Sequence, residues 1–91
     1  MQENYRNKSE KELREIAKRL DPILRLGKNG LTDGVYEEIS VHLKKRRLIK
    51  LKFLPAFLDM YDRRTIGDEI ARKTHSKVIQ QVGGVLVLYR R

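Results

Sequence analysis

The apolar positions change period several times along the chain, and each change marks an element. Leu13, Ile16, Ala17 and Leu20 recur at helical spacing behind Ser9-Glu10-Lys11-Glu12, a serine three residues before a glutamate. That order predicts a capping box and an amphipathic helix, which Asp21-Pro22 ends. Residues 22–26 alternate, sending Leu24 and Leu26 one way with Ile23 and Arg25 the other, as a short strand does. Thr32 then reads as an N-cap with Asp33 in the first turn, and Val35, Ile39 and Leu43 form the stripe of a second helix that runs to about Arg47, with Tyr36 beside it. Residues 48–54 alternate again, with Ile49, Leu51 and Phe53 facing inward and Lys50 and Lys52 outward. Pro55 stops that strand. Residues 62–74 carry Ile66, Ile70 and Ala71 inward as a third helix, and residues 77–82 and 85–89 flank Gly83-Gly84 as a hairpin.

The order is therefore α-β-α-β-α-β-β, which predicts an α/β fold: a single two-layer domain with a mixed four-stranded sheet and helices packed on it. The last strand is apolar on both faces, so it should be central. Residues 1–8 are polar and read as a flexible N-terminus ahead of one domain over residues 9–91. The segment 55–61, with Ala56, Phe57, Leu58, Met60 and Tyr61, is unusually apolar for a connection. It either tucks beneath a neighbouring loop and leads into the third helix, or presents a patch to a partner.

Charge narrows the function. Lys and Arg number 21 against 12 Asp and Glu, a formal net charge of +9 on 91 residues. So strong an excess on so small a domain is the footprint of a partner rich in phosphate, although an anionic membrane or an acidic protein would satisfy it too. There is no cysteine, which removes thiolate zinc sites, disulfides and cysteine nucleophiles. No apolar run approaches a membrane span, the N-terminus lacks a signal-peptide core, and a cytoplasmic monomer is expected.

The candidate site lies where the first strand meets the second helix. Leu26-Gly27-Lys28-Asn29-Gly30-Leu31-Thr32 places two glycines around a lysine at a loop tip, just before a helix start with unpaired N–H groups. Glycine permits positive φ and close backbone approach, and the helix start favours an anion, a geometry suited to phosphate. Two glycines around Lys-Asn are also an ordinary turn, and the motif alone does not decide between the two uses.

That loop, Leu48-Ile49-Lys50-Leu51-Lys52, and the closing Gly84-Val85-Leu86-Val87-Leu88-Tyr89-Arg90 together resemble the CRM domain family, whose bacterial stand-alone members are called YhbY. The resemblance covers about residues 10–91. It implies a fold similar to the C-terminal domain of translation initiation factor three, with strand order 1-2-4-3 and strand 4 antiparallel to the rest. It also implies RNA binding through a Gly-x-x-Gly loop likened to that of KH domains, here Gly27, Lys28, Asn29 and Gly30. The bacterial members are associated with precursors of the large ribosomal subunit, and plant organellar members with group II intron splicing. Segment 55–61 is more apolar than the family leads one to expect.

On that frame Lys28 should share an edge with Arg63 and Arg64, and Arg25, Lys50 and Lys52 should extend the track across one sheet face unless the first helix covers it. The opposite edge holds Lys44, Lys45, Arg46 and Arg47, with Arg72, Lys73, His75, Arg90 and Arg91 nearby, either as solvated helix ends or as a second RNA contact. Catalysis finds little support: His42 and His75 are isolated, no metal or other cofactor is implied, and Glu37-Glu38 and Asp68-Glu69 point apart on their helices. The expected function is an RNA-binding protein that contacts structured RNA, a ribosome assembly factor or RNA chaperone, with ribosomal RNA or its large-subunit precursor as partner. The alternatives are a DNA-binding chromatin-type protein and a protein-interaction adaptor that uses Phe57 and its neighbours.

Overall fold

A computed structural model describes residues 5–91, and along them run α1 (Glu10–Ala17), β1 (Leu24–Leu26), α2 (Asp33–Arg46), β2 (Leu48–Phe53), α3 (Pro55–Leu58), α4 (Ile66–Lys73), β3 (Lys77–Val82) and β4 (Val85–Tyr89). The sheet order is β1-β2-β4-β3; β1 and β2 are parallel, and β4 is antiparallel to both of its neighbours. β1, β2 and β3 thus point the same way, and Leu86, Val87 and Leu88 of the central β4 are buried on both faces. This is the α/β fold, order and central last strand that the sequence implies.

Local chemistry explains the boundaries. Ser9 Oγ accepts from the Glu12 amide and Glu12 Oε1 accepts from the Ser9 amide, both at 3.1 Å, so the capping box is present. The helix stops at Ala17, short of Asp21, because Arg19 and Leu20 donate three residues back to Ile16 and Ala17 and tighten the chain into a turn. Thr32 Oγ1 accepts from the Val35 amide at 3.1 Å and caps α2. Pro55 opens the short α3, where proline's missing N–H costs nothing. α4 begins at Ile66, later than the periodicity suggests, because the carbonyl of Asp62 closes a turn by accepting from Thr65 and Ile66. β1 starts at Leu24, two residues later than expected.

Arg47 (φ 68°) and His75 (φ 54°) are the non-glycine residues with positive φ among the described residues. Each ends a helix in the left-handed region, at a cost of about 1–2 kcal/mol for a residue with a Cβ.

The larger core fills one face of the sheet, where Ile39 and Leu43 of α2, Phe57 of α3 and Ile70 of α4 meet Leu51 and Leu88. On the other face α1 lays Leu13 and Ala17 on Leu48, Ile79 and Val87. The expected two-layer packing therefore gains one helix on its second side, over β2 and β3. Tyr5 joins that smaller cluster, its ring edge-on to Tyr89 at 6.5 Å, so packing begins ahead of Ser9; the first four residues of the expected flexible N-terminus lie outside the described residues.

The hydrogen bonds from Ser9 hold the Glu12 carboxyl below the usual carboxylate range. A depressed folded value contributes stability that is present above the unfolded pKa and lost as pH falls through the folded one. Ser9→Ala is expected to cost about 1 kcal/mol at neutral pH. Alanine keeps the Ser9 amide, the larger cause of the Glu12 shift, so most of the difference from wild type should persist on acidification, as urea unfolding at neutral and acid pH will read.

Candidate nucleic-acid interface

β1 delivers the chain to the glycine loop, and β2 holds it there: the Leu26 carbonyl accepts from the Leu54 amide at 2.8 Å. The turn closes with the Gly30 amide donating to the Gly27 carbonyl at 3.0 Å. Of the two glycines only Gly30 uses positive φ, at 69°. A Cβ on Gly30 would stand 2.6 Å from Tyr61 Oη and 3.1 Å from Met60 Cε, whereas one on Gly27 would meet only Leu54 Cδ1 at 3.4 Å. Gly30 is thus required by the fold, and Gly27 leaves backbone open to an approaching molecule.

Tyr61 explains the apolar segment. Its hydroxyl accepts from the Leu31 amide at 2.8 Å, its ring lies 4.5 Å from that of Phe57, and Phe57 stacks on Phe53 at 4.8 Å. A column of three rings therefore runs from the sheet to the loop and fixes it from below. Phe57 is fully buried, Leu58 and Tyr61 are half-buried, and Met60 remains as the exposed large apolar side chain of the segment. Of the two uses for residues 55–61, tucking beneath the loop is the one adopted.

Lys28 and Asn29 are exposed at the tip, and among the described residues nothing accepts from their amides. The loop forms one wall of a groove of about 510 Å³ whose floor is Leu26, Val35, Leu54 and Ala56 and whose rim carries Arg25 and Lys28. Arg25 pairs in register with Lys52 on the same face of the sheet, and both are exposed. Lys50 pairs with Val87, a residue of the α1 cluster, and is half-buried. Unpaired amides, two adjacent cations and the lysine at the tip form one surface that can take a chain of phosphates.

Arg63 and Arg64 share that end of the strands with Lys28, but they stand outside the cluster at the first strand. They lie on the β3 side, where the Arg63 carbonyl accepts from Gln81 Nε2 at 2.9 Å. The strand order separates β3 from β1 by three spacings, about 14 Å. The Arg64 amide donates to Asp62 Oδ1 at 2.8 Å and its guanidinium pairs with the same carboxylate at 3.3 Å; together they hold the Asp62 carboxyl below its ordinary value, and the pair holds the Arg64 guanidinium above its own. Its charge is partly answered already.

At the far end of α2, Lys44, Lys45 and Arg46 are exposed. Arg47 has a structural task there: its Nη1 donates to the Arg91 carbonyl at 3.0 Å, and its own carbonyl accepts from the Arg90 amide at 2.8 Å. Lys73 Nζ lies 4.9 Å from the centre of the Tyr36 ring, a cation–π contact that joins α4 to α2. Among the described residues no group of three or more His, Asp or Glu could hold a metal ion, and no helix is long and apolar enough to cross a membrane.

A family model described as the CRS1 / YhbY (CRM) domain matches residues 6–90. The chain is 41% identical over 78 residues to an RNA-binding protein of Haemophilus influenzae, covering 86% of this chain and 77% of that one. It is 36% identical over 81 residues to a Pseudomonas aeruginosa protein also named for RNA binding, covering 89% and 76%. The solution structure of a hypothetical protein from Staphylococcus aureus superposes with a TM-score of 0.75 at 31% identity, over 92% of this chain and 85% of that one.

Proposed function

The chain belongs to the CRS1 / YhbY (CRM) domain family, and from that premise we propose that it is an RNA-binding module whose contact surface is the loop 27–30 together with Arg25 and Lys52. The observation that carries this reading is the pinned turn: Tyr61 fixes its base, while the amides of the exposed Lys28 and Asn29 have no partner among the described residues. A backbone so held presents N–H donors to a phosphate at no further ordering cost, and Lys28 and Arg25 add charge. The groove beside the loop has no aromatic lining, so sugar-phosphate contacts dominate over stacking. The resemblance to YhbY supports ribosomal RNA, or its large-subunit precursor, as the partner. The role is then that of an assembly factor or RNA chaperone, a binder and not a catalyst.

The test is a salt titration of binding to large-subunit ribosomal RNA fragments and to duplex DNA. Wild type should prefer RNA, and Lys28→Glu should weaken RNA binding by about tenfold, or 1.4 kcal/mol, near 0.1 M salt. The variant should also lose about 0.7 from its log–log salt slope for each single-strand phosphate contact removed. Unchanged affinity and slope would exclude the loop as the contact, and preference for DNA would exclude the function.

A further inference from the structure

The end of the domain opposite the glycine loop carries a second cleft, of about 390 Å³, lined by Lys8, Glu10, His75, Lys77, Tyr89 and Arg91 among others. Both strained residues stand at this end, His75 in the cleft wall and Arg47 bonded to the Arg91 carbonyl beside it. At a left-handed helix end glycine is the residue that carries no steric penalty, yet the sequence places an imidazole and a guanidinium there. Ser76 and Thr74 show the constraint at His75: the Ser76 amide donates to the Ala71 carbonyl at 2.9 Å and closes the helix end whatever side chain precedes it. The imidazole is therefore not needed for the turn.

Charge points the same way. The loop end mixes its cations with Asp33, Asp62 and Asp68 from the first turns of α2 and α4 and the turn before α4. The opposite end adds exposed Lys44 and Arg46 to the cleft cations, against Glu10 in the cleft wall and Glu12 in the same first turn of α1. Helix dipoles account for cations in the last turns of α2 and α4, but Lys8, Lys77 and Arg91 lie outside those turns. The pair between Lys77 and Glu10, 3.5 Å apart with both side chains exposed, is weak enough for a phosphate to replace.

We propose that this cleft is a second RNA-backbone site, and that one domain holds two RNA segments at once, one at each end. The inference rests on the RNA reading above. Helix α2, about 21 Å long at 1.5 Å per residue, separates the two ends, so short strands can occupy them independently. A module of this form would bring two strands together, which is the physical requirement for annealing them.

The experiment mixes the protein with two short, non-complementary RNA oligomers, one bearing a donor dye and one an acceptor. Wild type should give energy transfer through a ternary complex. His75→Gly/Lys77→Glu/Arg91→Glu should weaken entry of the second oligomer by about tenfold or more, since a polyanion site loses an imidazole donor and has two cations replaced by carboxylates, while binding of the first remains at the loop. His75→Gly alone, which relieves the strained position, should raise the melting temperature and still weaken the second oligomer; a purely structural histidine would give the first effect without the second. Failure of wild type to bind either RNA would overturn the RNA reading itself. Binding of one RNA without transfer, or transfer that persists in the triple variant, would overturn the second site.

Discussion

Gly30→Ala should destabilise the domain by about 2–3 kcal/mol, the sum of a left-handed residue gaining a Cβ and the loss of one hydrogen bond. The methyl group would arrive 2.6 Å from Tyr61 Oη, so the tyrosine must withdraw and release the Leu31 amide, which it now holds at 2.8 Å. Gly27→Ala provides the contrast. Its methyl group meets only Leu54 Cδ1, at 3.4 Å, and φ at residue 27 is not in the left-handed region. Stability should then change by less than about 0.5 kcal/mol, the usual range for a surface substitution, while RNA binding weakens because the backbone can no longer be approached as closely. Urea unfolding and RNA titration of the two variants separate these roles. Equal stability losses would show that the shape of the loop does not depend on the contact between Gly30 and Tyr61.

The contrast also shows which features the sequence could reveal. Ser9 and Thr32 announce their helices because a cap and its partners lie within four residues, and β2 announces itself because alternation is a property of neighbours. The Gly83-Gly84 turn is legible for the same reason, although its closest approach is not. The Gly84 carbonyl accepts from the Phe53 amide, and a Cβ on Gly84 would stand 2.7 Å from the Phe53 carbonyl. The support of the glycine loop joins residues 31 and 61, which no local period connects. Segment 55–61 signals only that something apolar must be covered. The separation of Arg63 and Arg64 from Lys28 depends on β3 being an edge strand and on Gln81 capturing the Arg63 carbonyl. The strain at Arg47 and His75 left no mark in the sequence, because glycine is the usual sign of such a turn and neither position has one.

Phe57→Ala should have the largest effect of any single truncation near the site. The side chain is fully buried between two rings, and deleting a buried phenylalanine costs about 3–5 kcal/mol in lost burial and residual cavity. Against a total of about 5–15 kcal/mol for a domain, that loss leaves a folded but weakened protein at low temperature. Its consequence for function differs from that of an equally buried residue elsewhere. Ile70 on α4 is also inaccessible to solvent, and Ile70→Ala should cost a comparable about 2–5 kcal/mol while leaving all three rings of the column present. Measured where both variants are folded, RNA affinity should fall in Phe57→Ala, because Tyr61 loses the ring that positions it beneath Leu31, and should hold in Ile70→Ala. Phe57→Asp cannot serve as a probe of a protein-docking patch, since it would bury an unpaired carboxylate and unfold the site. A docking role for the segment must be sought at Met60, which is 51% exposed. If Phe57→Ala and Ile70→Ala bind RNA equally well, the rings support the core alone, and the loop takes its shape from Gly30 and its own turn.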